Sequence, residues 1–186
     1  MYKLGSPNLD KKSILLKQKR KLFHANDLSL LWGITNKNTL YTTIKRYKQK
    51  GVLIPIHKGF YSAVPLSELD PTALAISFLH NYAYLSAETI LAREGIITQA
   101  IFPITLLSNV SKKFELAGNY YLVRKMKDEF LYNDLGIVQQ DEYKEASVER
   151  AVADLLYFNP KYYFDNQRLI DWGKVKNIQK EVGFVC

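Results

Sequence analysis

The residues best suited to chemistry fall in one stretch and its flanks. "LYTTIKRYKQKGVLIPIHKGFY", residues 40–61, holds Thr42, Lys45, Arg46, His57 and Lys58, and Lys37, Asn38 and Thr39 come just before it. An arginine fork pairs with guanine O6 and N7 in a major groove, so Arg46 is the best base reader of the set. Lysine is a point charge suited to phosphate, which fits Lys45, Lys48 and Lys58. Asn38, Thr39 and Thr42 hydrogen-bond to base edges or to phosphate oxygens. The chemistry implied is polyanion recognition rather than bond making.

The other candidates are weaker. Asp134, Glu142 and Lys144 form D-x7-E-x-K. Two carboxylates with a lysine are the parts of a Mg²⁺-dependent nuclease site, but charged side chains in a turn-rich stretch are most simply solvated. His24, His57 and His80 are far apart in sequence and have no Cys or paired His companion, so no metal site is expected. Gly5, Gly33, Gly51, Gly59 and Gly95 never fall into a dinucleotide or P-loop spacing, so no cofactor is expected. Ser86 and Ser147 read as helix caps rather than nucleophiles, and no catalytic residue is assigned. Cys186 is the one cysteine; it makes no intrachain disulfide and fits a reducing, cytoplasmic setting.

Charge divides the chain. Residues 1–66 carry 13 Lys and Arg against two acids, a net of +11, while residues 67–186 carry 13 against 16, a net of −3. Such asymmetry marks a polyanion-binding module joined to something else. Apolar residues make up 47% of the 186, enough for folded cores. No window of eighteen uncharged apolar residues exists, so no membrane span or membrane partner is expected. The first twenty residues lack the apolar run and cleavage site of a secretory signal.

These side chains need elements to hold them. "NLDKKSILLKQKRKLF" reads as a first helix with Ile14, Leu15, Gln18 and Leu22 as its stripe. "HANDLSLLWGIT" reads as a short helix capped by Asn26 or Asp27 and ended by Gly33. "TNKN" is a turn. Leu40, Ile44 and Tyr47 then mark the buried face of a helix whose free face presents Thr39, Thr42, Thr43, Lys45, Arg46, Gln49 and Lys50. "VLIPIH", "KG" and "FYSAV" predict a hairpin, with Phe60 and Tyr61 pinning it to the helices. Helix, helix, helix and hairpin make a winged helix-turn-helix over residues 1–66.

"VPLSELDP" reads as a linker to a mixed α+β domain over 70–186. Its expected parts are a helix from Pro71, a strand, a Ser86-capped helix stopped by Gly95, and a strand from Gly95 on. Then come strands in "AIFPITLLS", "KKFELAG" and "NYYLVRKM" with a Gly118–Asn119 turn, a short pair in "GIVQQ" and "EYKEA", a Ser147-capped helix, and terminal helices. Core packing is the expected role of Tyr82, Tyr84, Tyr120, Tyr121, Tyr157, Tyr162 and Tyr163; the alternative is a tyrosine-lined pocket for a small molecule, which would make the chain a ligand-sensing repressor. The fold class expected is α/β in the broad sense, α+β in detail.

Three stretches carry a family resemblance: "TLYTTIKRYKQKGVLIPIHKGFYS", "YLSAETILAREGII" and "ASVERAVADLLYF". In this order and spacing, across about residues 25–160, the chain resembles the AbiEi-type antitoxins of bacterial abortive-infection systems. The resemblance implies a cytoplasmic regulator that binds repeated sites in its own promoter as double-stranded DNA and represses its operon. It also implies antagonism, direct or functional, of a co-encoded nucleotidyltransferase-like toxin. A homodimer on DNA and tandem monomers both fit this picture.

Overall fold

A computed structural model describes residues 10–99 and 103–184. Gly5, Cys186 and the start of "AIFPITLLS" lie outside the described residues. The chain divides into two compact units, Met1–Asp70 and Pro71–Cys186. Its described residues make a mixed α+β fold with two sheets.

The first unit runs α1 (Lys11–Leu16), β1 (Leu22–His24), α2 (Ala25–Trp32), α3 (Lys37–Gln49), β2 (Ile54–His57) and β3 (Phe60–Ser62). The first helix is shorter than expected. Only Leu15 of its stripe is buried within it, and "KQKRK", residues 17–21, gives no apolar i+4 partner to continue it. Leu22 and Phe23 instead form a strand opposite Ser62 and Tyr61, giving an antiparallel sheet in the order β1-β3-β2. The cap of α2 also differs. His24 stands at the N-cap, and the Asp27 carboxylate reaches back to accept its backbone N–H at 2.8 Å. Leu15, Phe23, Leu28, Trp32, Leu40, Ile44, Leu53 and Tyr61 make the core of this unit. Full burial of one such side chain is worth about 1.5–3 kcal/mol.

The second unit runs α4 (Pro71–Leu79), β4 (Ala83–Leu85), α5 (Glu88–Arg93), β5 (Ile104–Ser108), β6 (Lys112–Leu116), β7 (Asn119–Lys125), α6 (Asp128–Leu131), β8 (Ile137–Gln139), β9 (Lys144–Ala146), α7 (Val148–Phe158) and α8 (Trp172–Val182). Its sheet has the order β6-β7-β5-β4-β9-β8. The β5/β7 and β4/β9 pairs are parallel and the rest antiparallel. Residues 150–155 of α7 are buried on every side, so this helix is the unit's central rod rather than a surface stripe.

Several local expectations change here. Ile96 and Ile97 are buried but lie in a loop, not a strand. The β6–β7 turn is Ala117–Gly118, one residue earlier than expected, with φ of 49° and 78°. Positive φ at both positions gives the twist that matches a hairpin. Tyr120 and Tyr163 are exposed, whereas Tyr84 and Tyr121 are fully buried.

Candidate nucleic-acid interface

The third helix is fixed at both ends and on one face. The Asn36 side chain caps it, accepting the Thr39 N–H at 3.1 Å and the Thr39 hydroxyl at 3.3 Å. Leu40, Thr43 and Ile44 are buried. Tyr47 packs its ring 5.3 Å from that of Trp32 and donates its hydroxyl to Asp10 at 3.3 Å. Burial, with Asp10 adding, pushes the Tyr47 phenol above its usual range. Beyond Lys50, the Val52 and Leu53 N–H groups both donate to the Tyr47 carbonyl, which ties the helix end to the approach to β2.

Lys37, Asn38, Thr39, Thr42, Lys45 and Arg46 are all exposed. Thr43 is not on the free face: it is buried, and its hydroxyl donates to the Thr39 carbonyl at 2.8 Å. Helical spacing sorts the exposed side chains into three rows. Asn38, Thr42, Lys45 and Gln49 run along the crest, opposite Leu40, Ile44 and Tyr47. Lys37, Tyr41 and Lys48 run along one flank, and Thr39, Arg46 and Lys50 along the other.

Each flank lines a groove. On one side Tyr41 and Lys48 face His57, Lys58 and Gly59 of the β2–β3 hairpin across about 700 Å³. On the other side Thr39, Arg46 and Lys50 face Asp10 and Lys11 of the α1 start across about 530 Å³. The structure therefore brings His57 and Lys58 to Tyr41 and Lys48, and sets Arg46 apart from them. The hairpin is held firmly. The Ala25 N–H donates to the Gly59 carbonyl at 2.8 Å, the His24 and Phe60 rings lie 4.6 Å apart, and Phe60 and Tyr61 are buried. Sequence reasoning passed over Tyr41, which is 53% exposed. Its place four residues after Lys37 and seven before Lys48 was the signal available.

In the second unit, two of the three D-x7-E-x-K residues meet: Asp134 and Lys144. Lys144 Nζ lies 2.9 Å from Asp134 Oδ1, and the Tyr82 hydroxyl donates to the same oxygen at 3.2 Å. The bonded ammonium holds the Asp134 carboxyl below the usual range. Among the described residues, no three His, Cys, Asp or Glu side chains gather as a metal-holding group. Ser86 does not cap α5: its hydroxyl is buried and donates to Asp154 at 2.7 Å. Ser147 caps α7 and accepts the Arg150 N–H at 3.2 Å.

Sequence reasoning also missed a buried polar cluster. Arg150 directs Nε to Asp154 at 2.8 Å, Nη1 to the carbonyls of Asn133 and Leu135, and Nη2 to Tyr84 and the Phe130 carbonyl. Burial works against its charge, but Asp154 and Tyr84 hold it, and its pKa stands above the ordinary value. The i,i+4 spacing of Arg150 and Asp154 inside an otherwise apolar run was the available signal.

The folds of both units, α+β throughout, define the class of protein. No protein-family model matches the chain, and no curated protein matches it. Among solved structures it is similar to the crystal structure of RV2827C protein from Mycobacterium tuberculosis. The TM-score is 0.50 and the identity 12%, over 94% of this chain and 66% of that one. At that identity the likeness is one of fold alone, and this chain spans just under two thirds of that protein's length. Among the described residues no helix is long and apolar enough to cross a membrane.

Proposed function

We propose that this chain reads double-stranded DNA sequence-specifically, represses its own promoter, and serves as the cytoplasmic antitoxin of an abortive-infection toxin–antitoxin pair. The unit Met1–Asp70 acts as a winged helix-turn-helix, with α3 as its recognition helix and β2–β3 as its wing. The unit Pro71–Cys186 counters a nucleotidyltransferase-like toxin, by contact or functionally. No catalytic residue and no cofactor enters this reading.

One observation carries the DNA part. An exposed helix face bearing Asn38, Thr42, Lys45 and Gln49 is flanked on both sides by cations, and its opposite face is locked in a core. A rigid helix presenting donors between positive flanks is what entry into a major groove requires. The antitoxin part rests on the three-stretch resemblance to the AbiEi-type family. The nuclease alternative has less support, because Asp134 is bonded to Lys144 and Tyr82.

The test is a titration of the purified chain against the duplex upstream of its own gene and a scrambled duplex, at two salt concentrations. Specific readout gives about a thousandfold or greater preference for the upstream duplex, with steep salt dependence. Equal, weak binding to both would reduce the helix face to a nonspecific basic patch. Growth rescue on co-expression with the adjacent gene product tests the antitoxin part.

A further inference from the structure

The two grooves beside α3 differ in their lining, and this bears on which residue reads sequence. A helix with its side chains is about 10–12 Å across, and a B-DNA major groove is about 12 Å wide. A helix lying in that groove fills it. Its crest meets base edges, and its two flanks meet the two phosphate strands. The three rows of α3 therefore have three different partners.

We infer that, within the DNA-binding reading above, the two grooves are separate phosphate seats for opposite DNA strands, and that Arg46 is a backbone anchor rather than a base reader. The hairpin-side seat is built by Tyr41, Lys48, His57 and Lys58. The α1-side seat is built by Lys11, Arg46 and Lys50. Sequence selectivity falls to Asn38, Thr42, Lys45 and Gln49 on the crest between them. Asparagine and glutamine pair bidentately with adenine N6 and N7, so the crest suits adenine as well as guanine.

The α1-side seat has a feature that the other lacks. Asp10 sits at its wall, held by the Tyr47 hydroxyl. A carboxylate there offsets one of three cations and confines the phosphate to the Arg46–Lys50 side. Arg46 is long enough to reach the backbone, and its planar fork binds phosphate bidentately. Tyr41, 53% exposed with a phenol at its tip, supplies a neutral donor to the opposite strand.

Ethylation-interference mapping on the upstream duplex tests the strand assignment, using the full chain and the variants Arg46→Ala and Lys48→Ala. Wild-type chain shows interference on both strands. Arg46→Ala should lose it on one strand and Lys48→Ala on the other. Each variant should lower the slope of log binding constant against log salt by about 0.9, equally on upstream and scrambled duplexes. Thr42→Ala and Gln49→Ala should leave the slope and the scrambled binding unchanged and weaken upstream binding about tenfold. The assignment is overturned if Arg46→Ala abolishes discrimination while sparing scrambled binding, or if both cation variants lose the same strand. A wild-type chain that fails to prefer its upstream duplex removes the DNA-reading function itself, and the seats with it.

Discussion

The Arg150 guanidinium lies 2.8 Å from the Asp154 carboxylate, with both side chains fully buried. Asp154 also accepts the hydroxyls of Ser86 at 2.7 Å and Tyr84 at 3.1 Å. Burial, with Asp154 adding, holds the Tyr84 phenol far above its usual range. The cluster joins β4, α6, α7 and the loop before β8 through hydrogen bonds, so it acts as a polar staple in an apolar unit.

Removing one partner leaves the other charge buried and unpaired. Arg150→Met should cost about 3–5 kcal/mol in urea unfolding of the full chain. Arg150→Met with Asp154→Leu should recover only part of that loss, since the carbonyls of Phe130, Asn133 and Leu135 stay without their donor. A double variant as stable as wild type would show that the staple adds nothing to stability.

Gly136 and Gly118 separate backbone strain from steric clash. Both have positive φ, 75° and 78°. A Cβ on Gly118 meets nothing within 4 Å, while a Cβ on Gly136 lies 2.8 Å from the Arg150 Cβ. Gly118→Ala should cost about 1 kcal/mol from conformation alone. Gly136→Ala should cost at least about 2 kcal/mol more, because helix α7 must shift. Thermal unfolding of the two variants side by side gives the comparison, and equal losses would contradict the close approach of α7.

Glu145 pairs with Arg93 through two bonds of 2.8 and 2.9 Å, with Gln140 adding a third at 2.7 Å. The Arg93 bonds hold its carboxyl below the ordinary value of 4.5. Between the folded and unfolded pKa values the unfolded state binds more protons, so stability rises with pH there. The contribution is present above about pH 5 and is lost as pH falls through the depressed folded value. Glu145→Gln should be less stable than wild type at pH 7, and the gap should close on acidification. A gap that is constant from pH 7 to pH 3 would refute the ionic origin.

On α3, Thr43→Val keeps shape and burial but deletes the bond to the Thr39 carbonyl. It should change DNA affinity less than twofold and stability by less than about 1 kcal/mol. Asn36→Ala should cost about 1 kcal/mol through the lost cap and should also loosen Thr39. A large loss of DNA binding on Thr43→Val alone would place Thr43 back on the outer face.

Much of the first unit was legible because its signals are local. Leu40, Ile44 and Tyr47 at helical spacing, Asn36 ahead of them and Lys58-Gly59 between strand-forming runs define α3 and the hairpin without outside help. Leu22 and Phe23 failed as helix residues because their strand exists only where β3 supplies partners far along the chain. Ser86 differs from its expected role for a related reason: a serine before a helix has the form of a cap, yet Asp154, distant in sequence, takes its hydroxyl.

By itself the sequence determined the charge division, the α+β class, the apolar Leu40–Ile44–Tyr47 face of α3 and the set of cations available to a polyanion. Periodicity and composition act within a few residues, so they survive reading in one dimension. Only the tertiary structure decided which groove each flank of α3 faces, that Thr43 turns inward, that Tyr41 joins the hairpin groove, and that Arg150 lies in the core. Those outcomes depend on long-range packing, where a side chain's partner is set by the chain's path and not by its neighbours in sequence.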